Sequence, residues 1–174
     1  FENVQSRYDG ILQGFEHTES MLNEYISQAE AKGNIVSKNY YNALIDNEED
    51  RIQTLKQEQI DLLKKRDEFE SSLISKGATI EEVHDMESWR DMCAEIDGVT
   101  QEIEVANTAT IEWANNIRDI DWEIFDLIQQ RITDITDEAD FLIELMSNQD
   151  LFDDNGKFTK QGTATVGLHA QNYN

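Results

Sequence analysis

The residues best suited to chemistry are three histidines, one cysteine and 37 carboxylates in a chain of 174 residues. Glu81 and His84 have the Glu-x-x-His spacing that sets two ligands on one helical face in di-iron bundles. Such a centre needs a second copy of the element and two more glutamates on facing helices. The sequence has one copy, so a structural or solvent-facing role is expected for His84. His17 and His169 have no second histidine at helical spacing. Asp153-Asp154-Asn155-Gly156 has the look of a calcium loop. With Gly156 at the sixth place, however, the first and twelfth ligands fall on Leu151 and Gly162, which carry no carboxylate. A plain tight turn is expected there. Cys93 stands alone and reads as a small apolar side chain beside Met92. No Ser-His-Asp or Cys-His arrangement and no phosphate loop follows from these spacings. The sequence thus predicts no catalytic residue, no metal ligand, no cofactor and no enzyme. The rival in that class is a metal-dependent helical bundle, which metal analysis of the purified protein separates.

These groups sit on long helices. From Trp89 to Leu127, apolar or small residues recur in alternating steps of three and four: Trp89, Met92, Ile96, Val99, Ile103, Ala106, Thr110, Trp113, Ile117, Ile120, Ile124, Leu127. That is a heptad seam, and a strand cannot make it. Trp122 falls off the seam, four residues after Arg118, as an exposed stack or a contact for a second chain. The fold class expected is all-α: long antiparallel coiled-coil helices, as a hairpin or three-helix bundle, over 1–147. The helices are placed at about 2–31, 38–75 and 80–147, with a turn and a short helix in 148–174.

In the first helix the expected seam is Tyr8, Ile11, Phe15, Thr18, Leu22, Tyr25 and Ala29. Gly33 supplies a helix stop and Ser37 a cap for the second helix. The second seam reads Tyr41, Ile45, Glu48, Ile52, Leu55, Gln59, Leu62, Arg66, Phe69 and Leu73. Its three polar members are expected to face water on a partly covered helix. Asp61 and Lys65 make an i, i+4 pair. Gly77 ends this helix, and Thr79 with Glu82 forms a capping box that starts the third near Ile80. After Leu127 the stripe shifts to Ile128, Ile132, Ile135, Ala139, Leu142 and Met146, so a bend or a change of partner is expected near 127–132. Short links between long helices predict an antiparallel hairpin. Basic Arg51, Lys56, Lys64, Lys65 and Arg66 should face Glu95, Glu102 and Glu123, with the first helix alongside.

Proline is absent and the formal net charge is −23. Residues 79–174 carry most of it, with five basic and 22 acidic side chains against nine and fifteen in 1–78. Such a field disfavours nucleic acid and anionic membrane as partners. No stretch reaches the ~18 apolar residues of a membrane span. The chain opens on Phe1 with a helix already under way and ends just after Tyr173, which reads as a segment of a longer polypeptide.

Several tracts carry a family resemblance. They are 26–33, 40–45, 141–147, 153–157, Ile117-Arg118-Asp119-Ile120-Asp121-Trp122-Glu123-Ile124-Phe125-Asp126-Leu127-Ile128 and Gly167-Leu168-His169-Ala170-Gln171-Asn172-Tyr173-Asn174. Over most of its length the chain resembles an internal region of tail tape measure proteins from phages and prophages of Gram-positive, clostridia-like bacteria. The resemblance implies a structural, helical role in setting tail length and filling the tail tube. It implies partners among other copies of the chain and the tube and assembly proteins. It implies location in the virion tail after assembly in the host cytoplasm. The family's membrane-active and wall-cleaving parts have no counterpart here, and no family catalytic residue carries over. The alternative is a bacterial coiled-coil scaffolding or interaction protein unrelated to phage. A ruler is extended whereas Gly33 and Gly77 invite folding back, so the isolated segment is expected to fold as a hairpin bundle and to straighten in the tail.

Overall fold

A computed structural model describes residues 1–147, with backbone alone at 145–147, together with Lys157 and Thr159. The described residues form four helices and no strand: α1 (Glu2–Ala31), α2 (Lys38–Ser75), α3 (Ile80–His84) and α4 (Glu87–Ser147). The fold is all-α.

Local chemistry sets the helix ends. Gly33 (φ 70°) and Gly77 (φ 103°) adopt the left-handed conformation that glycine accepts without strain. Around Gly33, Asn34 N donates to Ala29 O and Gly33 N to Glu30 O, a Schellman closure. Ala78 N to Leu73 O and Gly77 N to Ile74 O repeat it after α2. The Ser37 hydroxyl accepts from Asn39 N at 3.3 Å and opens α2. Thr79 and Glu82 complete both bonds of a capping box.

One difference from the sequence reading lies just beyond. Where a single helix over 80–147 was expected, the chain breaks at Asp85 and Met86 into α3 and α4. No glycine or proline makes this break. Val83 is fully buried and His84 stacks on Trp89, with ring centroids 4.4 Å apart, while bonding Glu70 of α2 at 2.7 Å. Arg90 Nη2 donates to Asp85 O at 2.9 Å and satisfies a carbonyl freed at the break. Tertiary contacts impose the turn, and periodicity cannot register them.

Contacts divide the chain into two units, Phe1–Asp121 and Trp122–Asn174. This division falls inside α4. In the first unit α2 runs antiparallel to both neighbours. Along α4 its partners recede: Lys38 meets Asp121, Arg51 meets Glu102, and Gln59 meets Thr100. Along α1, Asp61 receives Tyr8, Asn47 donates to Phe15 O, and Tyr40 stacks on Tyr25. Two apolar clusters hold the three helices together. One unites Val4, Tyr8, Leu55, Leu62, Ile96 and Val99; the other unites Ile26, Val36, Tyr41, Leu44 and Ile120.

The buried row of α1 differs from the expected seam. Ile11 and Tyr25 are exposed, and Val4, Leu12 and Ile26 take the inner positions with Tyr8 and Leu22. Both rows are apolar, and the occupied one must accept Glu19, which half-buries. In the second unit α4 continues without interruption across 127–132 to Ser147. Its large side chains Phe125, Ile128, Ile132, Ile135 and Leu142 are exposed.

Leu55 is fully buried between α1 and α4, whereas Ile60 on the same helix is 56% exposed. Leu55→Ala should lower unfolding free energy by about 2–5 kcal/mol. Ile60→Ala should change it by less than about 0.5 kcal/mol. Urea unfolding followed by circular dichroism checks both, and equal effects would refute this assignment of the core.

Candidate functional site

The expectation that the polar seam residues of α2 face water fails at Glu48, while Gln59 and Arg66 are half-buried, and Glu58, which lies off that seam, is buried as well. Glu48 is 2% exposed and Glu58 is 5% exposed. A helix covered on two sides needs two heptad rows. On α2 the second row runs through Leu44, Glu48, Arg51, Leu55, Glu58 and Leu62, and it shares Glu48, Leu55 and Leu62 with the first. Two acidic side chains and one basic one therefore enter the interior with the leucines.

Arg51 is the hub of the first polar layer. Its Nη1 donates to Glu48 Oε1 at 2.8 Å and its Nη2 to Glu102 Oε2 at 3.2 Å. Glu19 faces the same layer from α1. Burial and then the Glu48 charge hold its carboxyl above the usual value, with Arg51 working against them. Glu48 Oε2 and Arg51 Nε are buried without a partner among the described residues. The layer carries more acid than one guanidinium neutralises. It is costly, and it discriminates among registers, because sliding α2 by a turn would strand Glu48.

Glu58 has no such cation. It faces Asp9 from α1 and Glu95 and Glu102 from α4, all acidic. Burial first, and these charges next, push its carboxyl up to about 7. No hydrogen bond reaches it among the described residues. A carboxyl poised near neutrality is what a general acid–base needs, but that role also needs access to a substrate. Glu58 instead lies at the contact of three helices. Open grooves elsewhere lie beside Ile60, Leu63 and Asp67 of α2, beside Gln101, Val105 and Glu112 of α4, and between α2 and α4 beside Ile52, Lys56 and Asn107; none is lined by Glu58. No group of three His, Cys, Asp or Glu side chains among the described residues could hold a metal ion.

No family model, curated protein or solved structure matches the chain. Its own geometry must therefore carry the reading.

The structure places the residues singled out from sequence as follows. His84 lies on Trp89, whose ring also meets the Arg66 guanidinium at 5.1 Å. Glu81 is exposed and does not join it. Cys93 is half-buried. His17 is exposed on α1. Trp89 and Trp113 are half-buried, and Trp122 is 62% exposed with Phe125 edge-on at 5.9 Å. Of the five basic residues expected to face α4, Arg51 makes the cross-helix ion pair. Lys65 pairs with Glu68 and Arg66 with Asp67. Asp61 is taken by Tyr8, Gln57 and Arg7, so the expected pair with Lys65 does not form. The turn at 153–156, His169 and the 167–174 tract lie outside the described residues. No signal singled out Glu58 until α2 was known to serve two neighbours. The leucines three before and four after it were the trace.

Glu58 ionises near 7 in the fold against an ordinary value of 4.5. Between those values the folded chain holds the extra proton. Its contribution to stability is therefore intact below about 4.5, falls as pH rises toward 7, and is lost above. Glu58→Gln removes this loss. The variant should melt roughly 3–6 °C above the parent at pH 8, with the gap closing near pH 4.5. A gap that is constant with pH would exclude a buried ionising Glu58.

Proposed function

We propose that the chain is a structural, non-enzymatic segment of a phage tail tape measure protein, helping to set tail length and fill the tail tube. The tract 117–128 carries this reading. It is one of the two distinctive tracts of the family resemblance, and its side chains Trp122, Ile124, Phe125, Leu127 and Ile128 are exposed. Two features support the proposal. The described residues are helical apart from short links, as a length-setting element requires. The net charge of −23 suits a surface that must not retain DNA moving past it. No helix among the described residues is long and apolar enough to cross a membrane. Partners on this reading are other copies of the chain and the tail tube and assembly proteins, and the location is the virion tail.

A coiled-coil scaffolding protein unrelated to phage is the second reading, favoured by the apolar stripe that α4 exposes beyond Asp121. Neighbouring genes for a tail tube and tail chaperones would support the first reading over it.

A ruler gives a quantitative test. In-frame removal of four heptads from α4 in the parent protein should shorten assembled tails by ~42 Å, at 1.5 Å per helical residue. Electron microscopy of tails measures this. Tails of unchanged length would overturn the tape measure assignment.

A further inference from the structure

We infer that the exposed stripe on the second unit is a self-pairing surface on which two copies of this chain dock antiparallel. The stripe is Phe125, Ile128, Ile132, Ile135, Ala139 and Leu142, in steps of three and four. At 100° per residue these positions fall within an arc of about 100°, a coiled-coil seam. Its five large side chains are 49–54% exposed. Phe125 and Ala139 share a heptad position with Ile132, and Ile128 shares one with Ile135 and Leu142.

Charge fixes the partner and its direction. Arg131 is the one basic residue in 122–147, set among seven carboxylates. It stands immediately before Ile132 on one edge of the seam. Glu138 occupies the same edge one heptad later. Neither makes an ion pair among the described residues. In an antiparallel coiled coil such edge positions face each other across the two-fold axis. With Ile132 opposite the other copy's Ile135, Arg131 meets Glu138 twice. The same register sets Phe125 against Leu142 and Ile128 against Ala139, large against small. A parallel pair would stack Ala139 on Ala139 and set Arg131 across from Thr136, whose hydroxyl is already bonded to Ile132 O at 2.9 Å. The remaining carboxylates, Glu123, Asp126, Asp134, Asp137, Asp140 and Glu144, lie away from the seam, where they repel less.

The overlap from Phe125 to Leu142 is about 27 Å long. It covers on the order of 500 Å² per copy, near the ~1,000 Å² total at which specific interfaces begin. The pair is therefore weak and concentration-dependent. It does not rest on the tail reading, because it follows from this seam alone.

Light scattering on the full chain over a concentration series should show the mass rising from 20.1 kDa toward twice that value. Arg131→Glu or Glu138→Arg alone should weaken pairing about 5–10-fold through two like-charge contacts, and the double swap should restore it. On a Cys93→Ser background, Ile128→Cys mixed with Ala139→Cys should give a mixed disulfide, while Ile128→Cys by itself should give none. Ile132→Asp should leave the chain monomeric with its helical circular dichroism unchanged. A chain that stays monomeric at every concentration, its stripe covered by its own 148–174 segment, overturns the inference. So does an Ile128→Cys self-crosslink, which marks a parallel pair, or a dimer indifferent to the charge swap.

Discussion

One constraint shapes the first unit: α2 has to satisfy two neighbours at once. A helix in a two-stranded contact needs one apolar row, and its other faces can be polar. A helix between two others needs two rows, and in α2 they share Leu55 and Leu62 while forcing Glu48 and Glu58 into the contact. The 38 residues of α2 also decide how far α4 is covered. Its first residue, Lys38, bonds Asp121 at 2.6 Å, and the unit ends there. The sequence of α4 shifts its stripe a few residues later, after Leu127.

The stabilising work is divided accordingly. Apolar burial is concentrated in two clusters, each with contributions from all three long helices. Between them lies a waist where Glu19, Glu48, Arg51 and Glu102 meet. A waist of this kind adds little net stability, since desolvating charges offsets most of what their attraction returns. It does penalise every arrangement that leaves Arg51 without its acids. Surface pairs such as Lys65–Glu68 contribute only tenths of a kcal/mol. The clusters hold the helices together, and the waist selects the register.

The fold class, the helix stops at Gly33 and Gly77, and the capping box at Thr79 could all be read from sequence, because each depends on residues within a few positions. The antiparallel Arg51–Glu102 contact was also legible, as one of several charge matches between the helices. What escaped depends on the third helix. The row used by α1 could not be chosen between Ile11 and Leu12 without knowing that Glu19 would meet Arg51. The break at Asp85 needs His84 to find both Trp89 and Glu70. The burial of Glu58 needs two flanking helices, and a single heptad register for α2 supplies only one. In the candidate site, therefore, Glu48 was visible as an interruption of a seam, whereas Glu19 and Glu58 looked like ordinary solvated acids.

The division into two clusters bears on how the folded-back segment could also serve as the extended ruler proposed above. Opening the bundle at the Gly33 and Gly77 links leaves the backbone bonds of α1, α2 and α4 intact, because those bonds are internal to each helix. What is lost is side-chain contact, and it comes in two separable parts flanking a polar waist. Glu58 and Glu48 gain hydration on opening, and above pH 7 that gain is largest for Glu58, whose ionised form the fold disfavours. The apolar rows lose their partners and must find others. On the proposed tape measure reading, those partners would be neighbouring copies presenting the same rows. Straightening is then an exchange of contacts within one chain for contacts between chains, and the residues that make the folded form costly are those that favour the exchange.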